Sequence, residues 1–315
     1  RTVTSSAGTV VAYDELVIAT GSDPFVIPVP GNALPGVVTF RDLDDVEKML
    51  AAAAKGGDAV VIGGGLLGLE AAAGLAQKGM KVTVVHLMPI LMERQLDQNA
   101  AYLLKKAIEK RGITIETGAN TTAILGDGKV EAIKLEDGRT LPADLVVMAV
   151  GIRPNAALAK SAGLAVERGI VVDDHLATSD PAISAVGECV QHRGQCYGLV
   201  APLYEMGKVL AARLAGETGA GYAGSITSTK LKVTGVDLFS AGDFSEGDDT
   251  DEVVLRDPSR GVYKRVILRD GRIVGAVLYG DVADGSWYFD LIKKQADVSE
   301  MRETLIYGQA FQGGG

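Results

Sequence analysis

The chain has 315 residues, 47% of them apolar, with 31 basic against 40 acidic side chains and a net charge of −9. That length and composition suit two or three folded domains with a large core and exclude a disordered chain. The acidic balance, with no basic stripe, argues against a nucleic-acid partner, and no apolar run approaches the ~20 residues that span a bilayer.

In chain order, residues 10–20 alternate and then turn continuously apolar, which predicts one buried strand. Residues 22–35 carry Pro24, Pro28, Pro30 and Pro35 and predict an extended crossover. Residues 42–55 predict a helix with acidic residues in its first turn and a lysine in its last. A strand at Asp58–Ile62, a helix over 66–78 and a strand over 81–85 follow. Residues 97–110 predict a helix with Leu103, Leu104, Ala107 and Ile108 on one face. A strand at 113–116 precedes two hairpin arms, 119–125 and 129–136, joined by Gly126-Asp127-Gly128. A buried strand at 144–150 closes a βαβ-type domain running from about residue 56 to 150, with a β-meander inserted in it. Beyond it lie a short helix over 155–162, strands at 169–172 and 183–186, and a helix over 200–215. From about residue 225 the style changes. Short strands at 252–256, 263–268 and 273–279 and helices over 286–294 and 300–307 predict a separate α+β domain.

The most informative stretch reads AVVIGGGLLGLE, an apolar strand running into Gly63, Gly65 and Gly68 and then a helix-compatible segment. This is a G-x-G-x-x-G fingerprint in its required setting, strand before and helix after. Gly63 permits the tight turn, Gly65 lets backbone approach a pyrophosphate, and Gly68 lets helix and strand pack closely. The helix N-terminus, opened by Leu66 and Leu67, presents free N–H groups and a positive dipole end to the phosphates. A dinucleotide is the expected ligand.

Four motifs stand in order: LVIATG (16–21), VIGGGLLGLE (61–70), AVGIRPN (149–155) and ISAVGEC (183–189). Together they resemble the FAD-dependent pyridine-nucleotide-disulfide oxidoreductase superfamily, over residues 10 to about 215. Narrower segments, HLMPILMERQLD (86–97), CVQHRGQCYGLVAP (189–202) and TKLKVTGVDLFSAGD (229–243), resemble the FAD/NAD-binding part of the large subunit of NAD(P)H-dependent nitrite reductases.

The resemblance implies an α/β fold. A Rossmann-like NAD(P)-binding domain (46–153) would be inserted in a truncated FAD-binding domain (1–45 and 154–220), followed by a small α+β domain (221–315). It implies FAD and NAD(P)H as cofactors, with an iron–sulfur cluster and sirohaem only in a full-length parent. The chain, opening on Arg1, is expected to be a fragment lacking the FAD domain's own glycine fingerprint. Its partners would be NAD(P)H and an electron-acceptor domain or protein, with a homodimer left open. Alternatives are a stand-alone NADH:rubredoxin-type or ferredoxin-type reductase and a non-catalytic dinucleotide-binding fragment. Two cysteines and no leader make the cytoplasm the expected location.

The same resemblance assigns site residues. Ala19, Thr20 and Gly21 would pass close to FAD. Glu188, after Gly187, stands where Asp usually binds the ribityl chain and can accept the same hydroxyl from a different reach. The helix opened by Val200, Ala201 and Pro202 would point its N-terminus at the flavin. Val150 and Gly151 would bind cofactor, and Glu70 on the fingerprint helix would lie near the nicotinamide. A first-turn helix acid is the equal alternative for Glu70. His86 ends the second strand about 20 residues past the glycines, where an acid would bond the ribose 2′-hydroxyl and an adjacent arginine would suit a 2′-phosphate. His86 does neither cleanly, Arg94 is near only in sequence, and the balance leans to NADH. Metal ligation by His86 is not expected, since the three histidines lack ligand spacing. Cys189 and Cys196, with six residues between them, are not a close redox pair and read as packing thiols; His192 and Arg193 between them read as a solvated loop, with contact to an acceptor domain as the alternative.

Overall fold

The computed structural model describes residues 1–231, 235–245 and 247–313. They form two compact units, one of Arg1–Pro24 with Ile152–Thr227, the other of Phe25–Gly151 with Ser228–Gly315. The second unit therefore interrupts the first in sequence.

The interrupting unit is built on a five-stranded parallel sheet in the order Val37–Thr39, Leu145–Met148, Asp58–Ile62, Lys81–His86, Thr114–Thr117. Its central strands are buried on both faces, as parallel strands under helices must be: Ala59, Val60, Val61, Val82, Val84 and Val147 are all within 1% of fully buried. On one face, Leu69, Ala72 and Leu75 of the Leu66–Gln77 helix and Leu104 and Ile108 of the Gln98–Glu109 helix share a core with Val61 and Val84. The opposite face, through Val60, Ile62 and Val146, packs on Ile124, Ile133 and Leu135 of a three-stranded antiparallel meander. The Gln98–Glu109 helix begins where Asp97 accepts a hydrogen bond from the Ala100 N–H at 2.9 Å.

The same unit ends in a five-stranded antiparallel sheet, ordered Ser228–Leu231, Leu238–Gly242, Arg272–Tyr279, Val262–Arg269, Asp251–Asp257. Phe239, Val266 and Leu278 on one face pack under Tyr288 and Ile292 of the Gly285–Lys294 helix. Leu238, Tyr263, Val277 and Tyr279 on the other join the core of the parallel sheet.

The first unit is assembled from strand pairs. Leu16–Ile18 lies parallel to Ile183–Ala185, Ile170–Val172 parallel to Val190–His192, and Ser22–Pro24 antiparallel to Ile152–Pro154. Met206 and Leu210 of the Val200–Leu214 helix close the core over Ile18, Ile170 and Ala185.

Three expectations are corrected. The strand expected over 10–20 is two, Val10–Ala12 and Leu16–Ile18, because the polar Asp14-Glu15 bend separates them. The helix expected over 300–307 is two 3₁₀ turns, Ser299–Met301 and Leu305–Tyr307. There the Tyr288 hydroxyl donates to the Leu305 carbonyl at 2.7 Å, and Leu305 and Ile306 are both buried as neighbours. The crossover expected over 22–35 contains a strand, Ser22–Pro24, whose proline sits in a two-stranded pair that requires few of its backbone donors.

Candidate functional site

The glycine loop follows the Asp58–Ile62 strand. Gly63 has φ +119°, and its N–H donates to the Val85 carbonyl at 2.8 Å. A β-carbon on Gly63 would overlap the Ala149 carbonyl, and one on Gly68 would overlap the Gly63 carbonyl. Both glycines are therefore demanded by backbone meeting backbone. Gly65 is different. It caps the Leu66–Gln77 helix with no side-chain hydrogen bond, and no atom lies within 4 Å of where its β-carbon would be. The first N–H groups of this helix thus face an open, side-chain-free cradle, which fits an anionic pyrophosphate.

Leu66 is half-buried and Leu67 exposed at that end. Val150 and Gly151 (φ +108°) continue directly from Ala149, the residue beside Gly63. Glu70 is half-buried on the same helix, and burial pushes its carboxyl above the ordinary value.

His86 is buried at the end of the second parallel strand. Its Nδ1 accepts the Gly64 N–H at 3.0 Å, and its Nε2 lies 3.0 Å from Glu93 Oε2. The ring is thus joined to the glycine loop on one side and to a carboxylate on the other. Arg94 follows on the exposed side of that loop. Nothing in the periodicity marked Glu93, because it reaches His86 through an irregular loop.

In the first unit, Ala19 and Thr20 are exposed at the end of the Leu16–Ile18 strand and Gly21 takes φ +66°. The Thr20 hydroxyl donates to the Asn155 carbonyl at 2.5 Å, while the Asn155 N–H donates to Gly21 at 2.9 Å. Gly187 has φ +96° with open space where a β-carbon would stand. Next to it, Glu188 Oε2 accepts the Ser22 hydroxyl at 2.6 Å. Ser22 was hidden in the proline-rich crossover, and only the fold brings it to Glu188. The Val200–Leu214 helix starts on Leu199 without a side-chain cap, with Val200 and Ala201 exposed and Pro202 buried in its first turn. Proline costs nothing there, where no intrahelical acceptor exists.

Cys189 is buried, its thiol directed to the carbonyls of Val186 and Ile18. Burial pushes the half-buried Cys196 thiol up, away from the reactive thiolate. Of the two residues expected in a solvated loop, Arg193 is an exposed turn residue, but His192 is the buried end of the Val190–His192 strand. His192 is 1% exposed, and Asp174 takes its Nε2 at 2.8 Å and two nitrogens of Arg193 at 2.6 and 2.9 Å. Among the described residues, no helix is long and apolar enough to cross a membrane.

Comparison with known proteins gives the context. The family model described as pyridine nucleotide-disulphide oxidoreductase matches residues 1–208, and that described as rubredoxin NAD+ reductase C-terminal domain matches residues 228–296. The chain is 51% identical over 306 residues to the NAD(P)H nitrite reductase of Bacillus subtilis (strain 168), covering 97% of this chain and 38% of that protein. It is 44% identical over 295 residues to the assimilatory nitrate reductase electron transfer subunit of the same organism, covering 94% of this chain and 38% of that protein. The chain thus spans well under half the length of these relatives. Among solved structures, the NAD-dependent persulfide reductase from A. fulgidus superposes with a TM-score of 0.86 at 27% identity, covering 96% of this chain and 61% of that one. With the first match running through both glycine-marked segments and the second through the terminal sheet, the chain belongs to the pyridine nucleotide-disulphide oxidoreductase family.

Proposed function

We propose that this chain is the electron-entry part of an NAD(P)H-dependent nitrite reductase. The observation that carries the nucleotide half is the bare cradle at Gly63, Gly65 and Gly68 beneath an uncapped helix N-terminus. The destination, nitrite, is supported by 51% identity to a protein of that name over 97% of the chain. In this reading Gly63, Gly65, Leu66, Leu67 and Gly68 hold the pyrophosphate of NAD(P)H, and Glu70, His86, Val150 and Gly151 line the rest of its bed. Ala19, Thr20, Gly21, Gly187, Glu188, Ala201 and Pro202 hold FAD, with Ser22 fixing the Glu188 carboxylate. The bound cofactors would supply hydride acceptance by flavin from a reduced nicotinamide and onward release of single electrons. The protein's share is placement and electrostatics: the helix N-terminus at Val200 favours negative charge beside it, and no general acid or base is called for.

The four-part division 1–45, 46–153, 154–220 and 221–315 belongs to the same proposal, except that residues 25–45, with the Val37–Thr39 strand of the parallel sheet, go with the nucleotide-binding part. So do an acceptor domain or protein as partner, a homodimer, a cytoplasmic location, and an iron–sulfur cluster and sirohaem in a longer parent polypeptide. The rubredoxin-reductase-type match over residues 228–296 favours one second reading, a reductase that docks a small carrier protein. The test is a visible absorption spectrum with intact mass on the same sample, followed by anaerobic NADH. A flavin band bleached by NADH supports the entry reading. A parent polypeptide that reduces rubredoxin but not nitrite favours the second reading. Absence of nucleotide binding overturns both.

A further inference from the structure

In a dinucleotide fold of this type, an acid at the end of the second strand bonds the adenosine ribose 2′-hydroxyl and so reads NADH. Here that place holds His86. A neutral imidazole has one acceptor and one donor nitrogen. The Gly64 N–H occupies Nδ1 at 3.0 Å, so the neutral ring carries its proton on Nε2 and donates it to Glu93 Oε2, also at 3.0 Å. The strand end thus presents a carboxylate after all, delivered from seven residues further along the chain.

The delivery is built in. Met92, the residue before Glu93, is fully buried and left-handed at φ +52°. Its N–H donates to the Gly64 carbonyl at 3.0 Å, and its own carbonyl accepts from Gln95 and Leu96 at 2.8 and 2.9 Å. Gly64 is therefore gripped on both backbone groups, by His86 and by Met92. A β-carbon on Gly64 would come within 2.6 Å of Leu91 Cδ2 and 2.8 Å of the His86 ring. A buried non-glycine residue in a left-handed conformation persists only where its surroundings over-determine it. What this turn fixes is the direction in which Glu93 leaves the loop, beside the glycine loop that would hold the pyrophosphate.

We propose that Glu93 is the specificity-determining residue for the nucleotide: it accepts the ribose 2′-hydroxyl of NADH and repels the 2′-phosphate of NADPH, with His86 as its positioning residue. The assignment rests on the dinucleotide reading of the Gly63–Gly68 loop. It replaces the strand-end acid, which this sequence lacks, with a two-residue relay.

The test is calorimetric titration of the full chain with NADH and with NADPH, for wild type, Glu93→Gln and Glu93→Lys. Glu93 is only partly buried, at 29% side-chain exposure, so both variants should fold, which circular dichroism checks. The wild type is expected to favour NADH by about tenfold or more, since a like charge facing the 2′-phosphate costs on the order of a kcal/mol or more. Glu93→Gln should shrink that ratio by at least about fivefold, mainly through tighter NADPH, and Glu93→Lys should shrink it further. A smaller change in both variants, or a wild type that favours NADPH, overturns the proposal while leaving nucleotide binding intact. A folded wild type that binds neither nucleotide overturns the dinucleotide reading itself, and the role of Glu93 with it.

Discussion

The α-carbon of Gly68 faces the Gly63 carbonyl so closely that no side chain of any size fits between them. Five residues apart, the two glycines set how far the Leu66–Gln77 helix can sink toward its strand. A β-carbon on Gly65, between them, would meet no atom within 4 Å. Gly68→Ala is therefore expected to cost stability by overpacking, about 1–3 kcal/mol, and to misplace the helix end. Gly65→Ala, with φ −84°, should leave stability nearly unchanged but weaken NADH binding by tenfold or so, because the methyl group occupies the phosphate approach. Urea unfolding and nucleotide titration on the two variants separate the effects. Equal behaviour of both would contradict this division of labour.

Glu188 is expected to depend on Ser22. Removing the hydroxyl in Ser22→Ala takes one charge-assisted hydrogen bond from the carboxylate, worth about 1.5–3 kcal/mol when fully realised. Flavin affinity should fall in Ser22→Ala and further in Glu188→Ala, while Glu188→Asp should retain part of it. Flavin retention on gel filtration reads the order. A Ser22→Ala variant that holds flavin as tightly as wild type would remove Ser22 from the site.

Asp174 gives a pH signature. The Arg193 guanidinium, and then His192, hold its carboxyl down from 3.8 to about 2. A depressed carboxylate stabilises the fold fully above its unfolded value and loses that contribution as pH falls through its folded value. Wild type should therefore lose melting temperature relative to Asp174→Asn between about pH 4 and pH 2. Parallel curves across the acid range would mean that the three-residue cluster contributes nothing.

Asp97 is shared between two structures of the second unit. It caps the Gln98–Glu109 helix, accepts the Tyr263 hydroxyl at 2.6 Å and lies 3.4 Å from Arg265 Nη1. Arg265 is 5% exposed and also pairs with Glu252 at 2.6 Å. Asp97→Ala should cost about 2–4 kcal/mol, since it removes a helix cap and a charged acceptor shared by Tyr263 and Arg265. Tyr263→Phe should cost about 1 kcal/mol. Chemical denaturation would measure both, and similar small losses would show that Arg265 is satisfied without Asp97.

The glycine loop was legible because its chemistry is local: strand, turn and helix lie within a dozen consecutive residues, and Gly68 answers to the Gly63 carbonyl five positions away. The long amphipathic helices and the central strands were legible from period and length. What the sequence hid is what long-range pairing creates. Three-residue strands such as Val37–Thr39 and Ile152–Pro154 are too short to show a period, and they exist only through partners more than 100 residues away. Ser22 lay in a crossover until Glu188 came to it, and Glu93 in a loop until His86 did. His192 looked polar and exposed beside Arg193, yet it is the buried end of a strand, because Asp174 satisfies its ring.

The interleaving of the two units fixes an order of events in biosynthesis. The Leu16–Ile18 strand has its parallel partner at Ile183–Ala185, and the core around Val61 and Leu104 is completed by Leu238, Tyr263 and Val277. A chain emerging from the ribosome thus makes the Leu16–Ile18 strand of one body, sets it aside, and makes most of a second. It must then finish the first before the sheet that seals the second has been synthesised. Both bodies spend much of translation with apolar faces waiting for distant partners, the situation in which nascent chains rely on chaperones.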